Sequence, residues 1–152
     1  MEEFGKLEER VVLVGVQTGD NDNVEESLDE LEELASTAGA VTVGKIIQNR
    51  EAVHPGTYIG KGKIEEVRAL VYAMDATGII CDDELSPAQL NNLERELDCK
   101  VMDRTLLILD IFAARAITSE GKIQAPLQSS TFGWFERISF PSGRRNRNER
   151  SW

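Results

Sequence analysis

The sequence places its clearest chemical signal at Gly60-Lys61-Gly62-Lys63, where glycine and lysine alternate just before a predicted helix. Backbone N–H groups at a helix start, together with lysine side chains, favour the binding of an anion such as a phosphate. The run lacks the four-residue spacing between the glycines of a P-loop, and no Ser or Thr follows Lys63. Two readings therefore stay open: contact with an anion, or a tight turn, which is the commoner role of paired glycines.

A second group of chemically capable residues, Asp82-Asp83-Glu84, directly follows the short apolar segment 78–81. That segment is typical of a buried strand, and ligands of open α/β sheets bind at the carboxyl ends of strands. Carboxylate oxygens are suitable ligands for Mg²⁺. However, no distant carboxylate partner can be placed from the sequence, and a solvated acidic turn is the commoner outcome. We therefore predict a structural junction here, with no metal and no general base.

The remaining candidates are single residues. His54 is the only histidine and has no identifiable nucleophile or carboxylate partner, so we predict no catalytic role for it. Asp103 has the position and residue type of a helix cap. Arg104 and Arg115 flank an apolar helix, where they suit either contact with phosphate or RNA, or packing of their aliphatic stems over apolar surface.

The elements that would position these residues alternate between strands and helices. Apolar or β-branched runs predict strands, and apolar residues at helical spacing predict the helices between them. Such alternation favours parallel strands with right-handed crossovers. We therefore predict an α/β fold, a small open and mostly parallel sheet of about four strands with helices on both faces. The predicted strands are 11–16, 40–48, 78–81 and 99–102, and the predicted helices are 24–38, 63–74, 86–97 and 106–114.

Two of the predicted helix starts carry specific local signals. Ser86-Pro87 followed by Gln89 predicts a capping box, with Ser86 accepting an orphan backbone N–H group and Pro87 at the first helical position. The helix 106–114 is apolar nearly all round, which predicts either deep burial or an exposed apolar patch that faces a partner.

Composition narrows the class of protein. The 152 residues carry a formal net charge of −10, and residues 126–152 hold five Arg against two Glu, which leaves −13 for the rest. An acidic body argues against simple electrostatic binding of a bare nucleic-acid backbone. Cys81 and Cys99 do not make a disulfide framework, so a reducing cytosol is expected. We also expect no signal peptide and no membrane span, because no apolar stretch approaches 18 residues.

Several stretches, in order over residues 9–124, resemble the amino-terminal domain of the HflX family of translational GTPases. They include TYIGKGK at 57–63 and DDELSPAQL at 82–90. The other resembling stretches are 9–16, 26–31, 34–40, 101–105, 109–113 and 120–124. Each stretch alone is modest, and their shared order gives the resemblance its specificity.

The resemblance implies a cytoplasmic protein that binds the large ribosomal subunit and splits ribosomes. In that family the amino-terminal α/β domain and a helical hairpin contact ribosomal RNA, and a later domain uses GTP and Mg²⁺. The motifs of that later domain are missing here. We therefore expect a monomeric chain with no cofactor and no GTP hydrolysis of its own. The candidate contacts for a nucleotide, a phosphate or RNA are Tyr58, Gly60, Lys61, Gly62, Lys63, Arg104 and Arg115. If the family's amino-terminal domain binds a nucleotide itself, the run 60–63 is the candidate site.

The resemblance ends after Gln124 and divides the chain into three parts. We predict an HflX-type α/β domain at 9–117, the start of a truncated helical arm at 118–125, and an aberrant, disordered tail at 126–152. Reading the gene one base further on converts 139–152 into a sequence compatible with LSRLGGGIGTRGA, which is close to the family's glycine-rich segment. A frameshift is therefore the favoured interpretation of the tail. The alternative is a genuine short protein whose basic arm contacts RNA. A further hypothesis for function is that the frameshifted gene yields a product with no retained function.

Overall fold

The computed structural model of the protein describes residues 8–19 and 23–119. Over these residues, strands and helices alternate without exception. The predicted α/β fold is confirmed, and the four described strands form one sheet in which every pair is parallel. The elements are β1 (Glu9–Thr18), α1 (Val24–Thr37), β2 (Ala40–Arg50), α2 (Lys61–Ala73), β3 (Gly78–Cys81), α3 (Pro87–Leu97), β4 (Lys100–Asp103) and α4 (Arg104–Ser119).

The strand order β2-β1-β3-β4 places β1 in the interior of the sheet. Its residues Val11, Val12, Leu13 and Val14 are fully buried, as a continuous apolar run requires when helices cover both faces of a sheet. The chain leaves β1 towards β2 on one side and later returns to β3 on the other side. The crevice between the carboxyl ends of β1 and β3 is therefore the topological switch point, where ligands of such folds bind.

The two faces of the sheet carry separate hydrophobic cores. Helices α1 and α4 cover one face, with Leu28 and Leu107 packed against Leu13 and Ile80. Helices α2 and α3 cover the other face through residues that pack against the alternate positions of the same strands. Because successive strand residues point to opposite faces, one short apolar strand supplies side chains to both cores.

Strand β2 contains a bulge next to Gly44. Val11 pairs with Thr42, but Val12 pairs with Gly44, so Val43 is the extra residue. A Cβ atom at Gly44 would lie 2.8 Å from Cδ2 of Leu70 on α2. Glycine therefore allows the bulged strand to approach α2 closely.

The predicted helix caps are also confirmed. Ser86 Oγ accepts a hydrogen bond from the Gln89 backbone N–H, and the Gln89 side chain accepts one from the Ser86 N–H. Asp103 Oδ1 accepts the N–H of Leu106 at 2.9 Å, as expected of a residue that caps α4. The predicted start of α2 at Lys63 is wrong, because the helix begins two residues earlier at Lys61.

Helix α4 packs against the core along one side only. Leu107 and Ile111 are buried, whereas Leu109 and Phe112 are 54% and 59% exposed. Of the two outcomes predicted for this apolar helix, the exposed patch is the one observed on the outward side. The predicted domain boundary at 117/118 falls within α4. Residues 120–152, including the tail to which the frameshift prediction applies, lie outside the described residues.

Candidate functional site

The carboxyl edge of the sheet gathers most of the residues that the sequence analysis singled out. Asp82 and Asp83 directly follow β3, Arg104 directly follows β4, and Tyr58 lies in the loop that leads into α2. Arg115 is the exception, because it lies about three turns further along α4, where it is exposed. The fold therefore brings together, at one edge, residues that are far apart in the chain.

Arg104 connects three elements across the switch point. Its Nη1 atom donates to Asp82 Oδ1 at 2.6 Å and to Ser27 Oγ at 3.0 Å, and its Nη2 atom donates to Glu30 Oε1 at 3.1 Å. The Asp82 side chain is only 8% exposed. A carboxylate removed from water in this way needs a cationic partner. The guanidinium of Arg104 therefore binds groups of the fold itself, at the end of β3 and on α1.

Tyr58 is likewise used within the fold. Its backbone has a φ of 69°, which is uncommon for a residue other than glycine, and its side chain is buried. The phenol donates a hydrogen bond of 2.6 Å to Asp83 Oδ2. Burial, with a further contribution from the negative charges nearby, raises the pKa of Tyr58 above its ordinary value. The phenol is therefore a neutral hydrogen-bond donor that fixes the loop to the end of β3.

His54 holds the same loop in place. Its Nδ1 atom accepts hydrogen bonds from the backbone N–H groups of Gly56 and Thr57 at 3.0 and 3.2 Å. The carbonyl oxygens of His54 and Gly56 accept hydrogen bonds from the side-chain amides of Gln89 and Asn92 on α3. The lone pair of Nδ1 is therefore directed at the backbone of its own loop.

The acidic residues at this edge do not converge on a cation position. Asp103 Oδ2 accepts the N–H of Leu85 at 2.7 Å, in addition to the Asp103 Oδ1 bond that caps α4. Asp82 and Asp83 are engaged by Arg104 and Tyr58. Within 8–19 and 23–119, no group of three or more His, Cys, Asp or Glu side chains is placed to hold a metal ion.

Accessible positive charge at this edge lies around the first turn of α2. Gly60 precedes that turn, and its N–H donates to Gln48 Oε1 at 2.9 Å. Lys61 is exposed, while Lys63 forms an ion pair with Glu66 at 2.9 Å. The guanidinium of Arg50 lies alongside, since a Cβ atom on Gly60 would be 2.7 Å from its Nη1. We call Arg50, Lys61 and Lys63, with the backbone of 60–63, the Gly60 turn.

Arg50 and Gln48, which both lie against Gly60, were not identified from the sequence. Strand β2 continues beyond its predicted end at Gln48 to Arg50, which brings Arg50 to the carboxyl edge. The predicted parallel topology could have indicated them, because the carboxyl ends of all parallel strands lie at the same edge of the sheet. Their contact with Gly60 depends on the path of the intervening loop, which the sequence pattern does not specify.

Comparison with known proteins identifies the family. The sequence profile of the family described as "GTP-binding GTPase N-terminal" matches residues 25–113. The chain belongs to this family. It is 67% identical over 125 residues to a GTPase HflX from Lacrimispora saccharolytica, a match that covers 82% of this chain and 30% of that protein. It is 48% identical over 120 residues to the GTPase HflX of Escherichia coli, covering 78% of this chain and 28% of that protein.

These matches confirm the resemblance to the HflX amino-terminal domain. The chain spans about 30% of the length of the HflX relatives it matches. A solved GTP-binding protein from the archaeon Sulfolobus solfataricus, in complex with GDP, shares the fold with a TM-score of 0.52 and 20% identity. That likeness covers 85% of this chain and 42% of the archaeal chain.

Because Asp82 and Arg104 form an ion pair, we predict that substitutions of these two residues have non-additive effects on the free energy of unfolding. Arg104→Ala leaves the buried Asp82 carboxylate without its closest cation, so we expect the free energy of unfolding to fall by about 1.5–3 kcal/mol. In the double variant Asp82→Asn/Arg104→Ala, the loss should be smaller than the sum of the two single losses. Urea unfolding followed by circular dichroism measures each value.

The matched control for this cycle is Arg95→Ala, whose guanidinium contacts only Asn92 within its own helix among the bonds described for it. We expect that change to cost less than about 0.5 kcal/mol. Strictly additive losses from Asp82→Asn and Arg104→Ala would contradict the coupling.

Proposed function

We propose that the chain is the ribosome-binding amino-terminal domain of an HflX-type protein, which acts in the cytoplasm and contacts RNA of the large ribosomal subunit. The observation that carries this proposal is the 67% identity to a GTPase HflX over most of the chain. The domain is in this view a binding module. Ribosome dissociation would require the further domains of the longer family members.

Sequence and structure both support a binding role without GTP hydrolysis in this chain. The sequence contains no G-x-x-x-x-G-K-[ST] motif, so the phosphate-binding loop of a P-loop GTPase is missing. At the switch point, Arg104 donates to Asp82 and Tyr58 donates to Asp83, so these polar side chains have partners within the fold. We propose that GTP and Mg²⁺ bind to the domain that follows in longer relatives.

The Gly60 turn is the proposed contact for RNA phosphate. The body of the chain carries a net charge of −13 outside residues 126–152 and would repel RNA as a whole. Screening at physiological ionic strength limits such repulsion to about 8 Å, so a local basic group can still bind a phosphate. No acidic residue occupies the first turn of α2, so no carboxylate there competes with an anion for the positive end of the helix dipole.

Arg104 and Arg115, the two arginines proposed from the sequence, differ in how they are placed to contact an RNA phosphate. Arg104 is held by Asp82, Ser27 and Glu30, so contact with a phosphate would require it to exchange those partners. Arg115 is exposed on α4 and is kept as a proposed RNA contact. Tyr58 is buried, and we propose that it supports the Gly60 turn instead of stacking on a base.

Co-sedimentation with purified large ribosomal subunits tests the proposal. We expect the chain to pellet with the subunits, and Lys61→Ala/Lys63→Ala to weaken binding and to reduce the slope of log affinity against log salt concentration by about 1–2. The matched control is Lys45→Ala/Lys100→Ala, which removes the same amount of charge away from the Gly60 turn. Lys45 lies in the middle of β2, and Lys100 lies at the start of β4, at the amino end of the sheet. Failure of the unmodified chain to pellet would refute ribosome binding and favour a product with no retained function.

A second candidate function, stand-alone binding of a purine nucleotide, rests on the same accessible start of α2. Titration with fluorescent ATP and GTP analogues separates it from RNA binding. We expect no saturable binding at micromolar concentration, because Tyr58 is buried and no open aromatic surface adjoins the turn among the described residues. Saturable binding that is lost in Lys61→Ala/Lys63→Ala would establish the nucleotide function in place of the ribosomal one.

A further inference from the structure

Strand β2 forms one edge of the sheet and is its longest strand, with eleven residues. Within the described part of the chain it pairs with β1 alone. Beyond the bulge, Gly44–Arg50 keeps a regular register with β1. Alternate residues of an edge strand direct their N–H and C=O groups away from the sheet, and such an edge accepts a further strand.

Acidic side chains of α1 lie beside one face of β2. Lys45 of β2 contacts Asp29 Oδ1 at 2.9 Å and Glu32 Oε1 at 2.8 Å. Glu25 lies one helical turn before Asp29 on the same side of α1 and is exposed. We call Glu25, Asp29 and Glu32 the α1 stripe. Two of its three carboxylates, those of Asp29 and Glu32, contact the ammonium group of Lys45. With Glu25 included, the α1 stripe and Lys45 together carry a formal charge of −2.

The opposite face of β2 is apolar near the bulge. Val43 packs in part against the core beneath α2, and Val41, on the same side by the alternation of a strand, is 42% exposed. An added strand would therefore meet negative charge on one face and apolar surface on the other. Alternating basic and apolar residues match these two faces.

We propose that the edge of β2 binds an extended segment of another protein, in which basic and apolar residues alternate, as an additional strand of the sheet. The basic side chains would lie beside the α1 stripe and the apolar ones beside Val41 and Val43. Basic arms of this kind are typical of proteins that bind nucleic acid. The proposal concerns a different surface from the Gly60 turn and does not depend on ribosome binding.

Charge also argues against a second copy of this chain as the occupant. Antiparallel pairing of two β2 edges would place both α1 helices on the same face of the joined sheet. Two α1 stripes would then approach each other, and like charges brought together oppose association. An RNA backbone would meet the same repulsion.

Fluorescence anisotropy with two labelled peptides of about ten residues tests the charge requirement. One peptide alternates Lys with Val, and the other alternates Glu with Val. We expect saturable binding of the lysine peptide only, weakened about tenfold or more by Glu25→Lys/Glu32→Lys. The matched control is Glu26→Lys/Glu33→Lys, which makes the same charge change on the part of α1 nearer Arg104, and it should change the affinity less than about twofold.

Hydrogen exchange on the unmodified chain tests the site independently of any variant. The outward amides of Gly44–Arg50 should gain protection when the lysine peptide is added. Three results would overturn the proposal: equal weakening by both pairs of substitutions, peptide binding without protection of β2, or no saturable binding. Protection that rises with protein concentration in the absence of peptide would assign the edge to a second copy instead.

Discussion

The pairing of Asp82 with Arg104 is the constraint on which the rest of the carboxyl edge depends. Asp82, the residue after β3, carries a carboxylate that is almost fully removed from water, and such a group needs a cation at hydrogen-bond distance. Arg104, the first residue of α4, supplies it and also reaches Ser27 and Glu30 on α1. One side chain thus fixes how α1, β3 and α4 meet at the switch point.

This arrangement has a functional consequence. In many doubly wound folds the switch point holds a ligand, whereas here it is occupied by the Arg104 contacts and by the bond between Tyr58 and Asp83. The surfaces that remain for partners lie around it. The Gly60 turn offers local positive charge on an acidic body. Among the described residues, the outer edge of β2 has no strand partner and lies beside the α1 stripe. Both surfaces are consistent with the binding role that we propose.

The sequence predicted features that depend on local chemistry and missed those that depend on distant contacts. The capping box at Ser86 and the cap at Asp103 follow from residues three positions apart, so both were found. The contacts of Asp82 with Arg104 and of Asp83 with Tyr58 span 22 and 25 residues, and no periodicity encodes them. The predicted start of α2 was late because glycine and lysine at 60–63 resemble a turn as much as a first helical turn.

The most direct test of the RNA contact is hydroxyl-radical probing from an iron chelate attached to Lys61→Cys. Burial raises the pKa of Cys81 well above its usual value and that of Cys99 to about 12, so the introduced thiol should react selectively. In the complex with large ribosomal subunits, position 61 should cleave ribosomal RNA, whereas the same probe on Lys100→Cys should not. Absence of cleavage from position 61, or equal cleavage from both positions, would contradict the proposed role of the Gly60 turn.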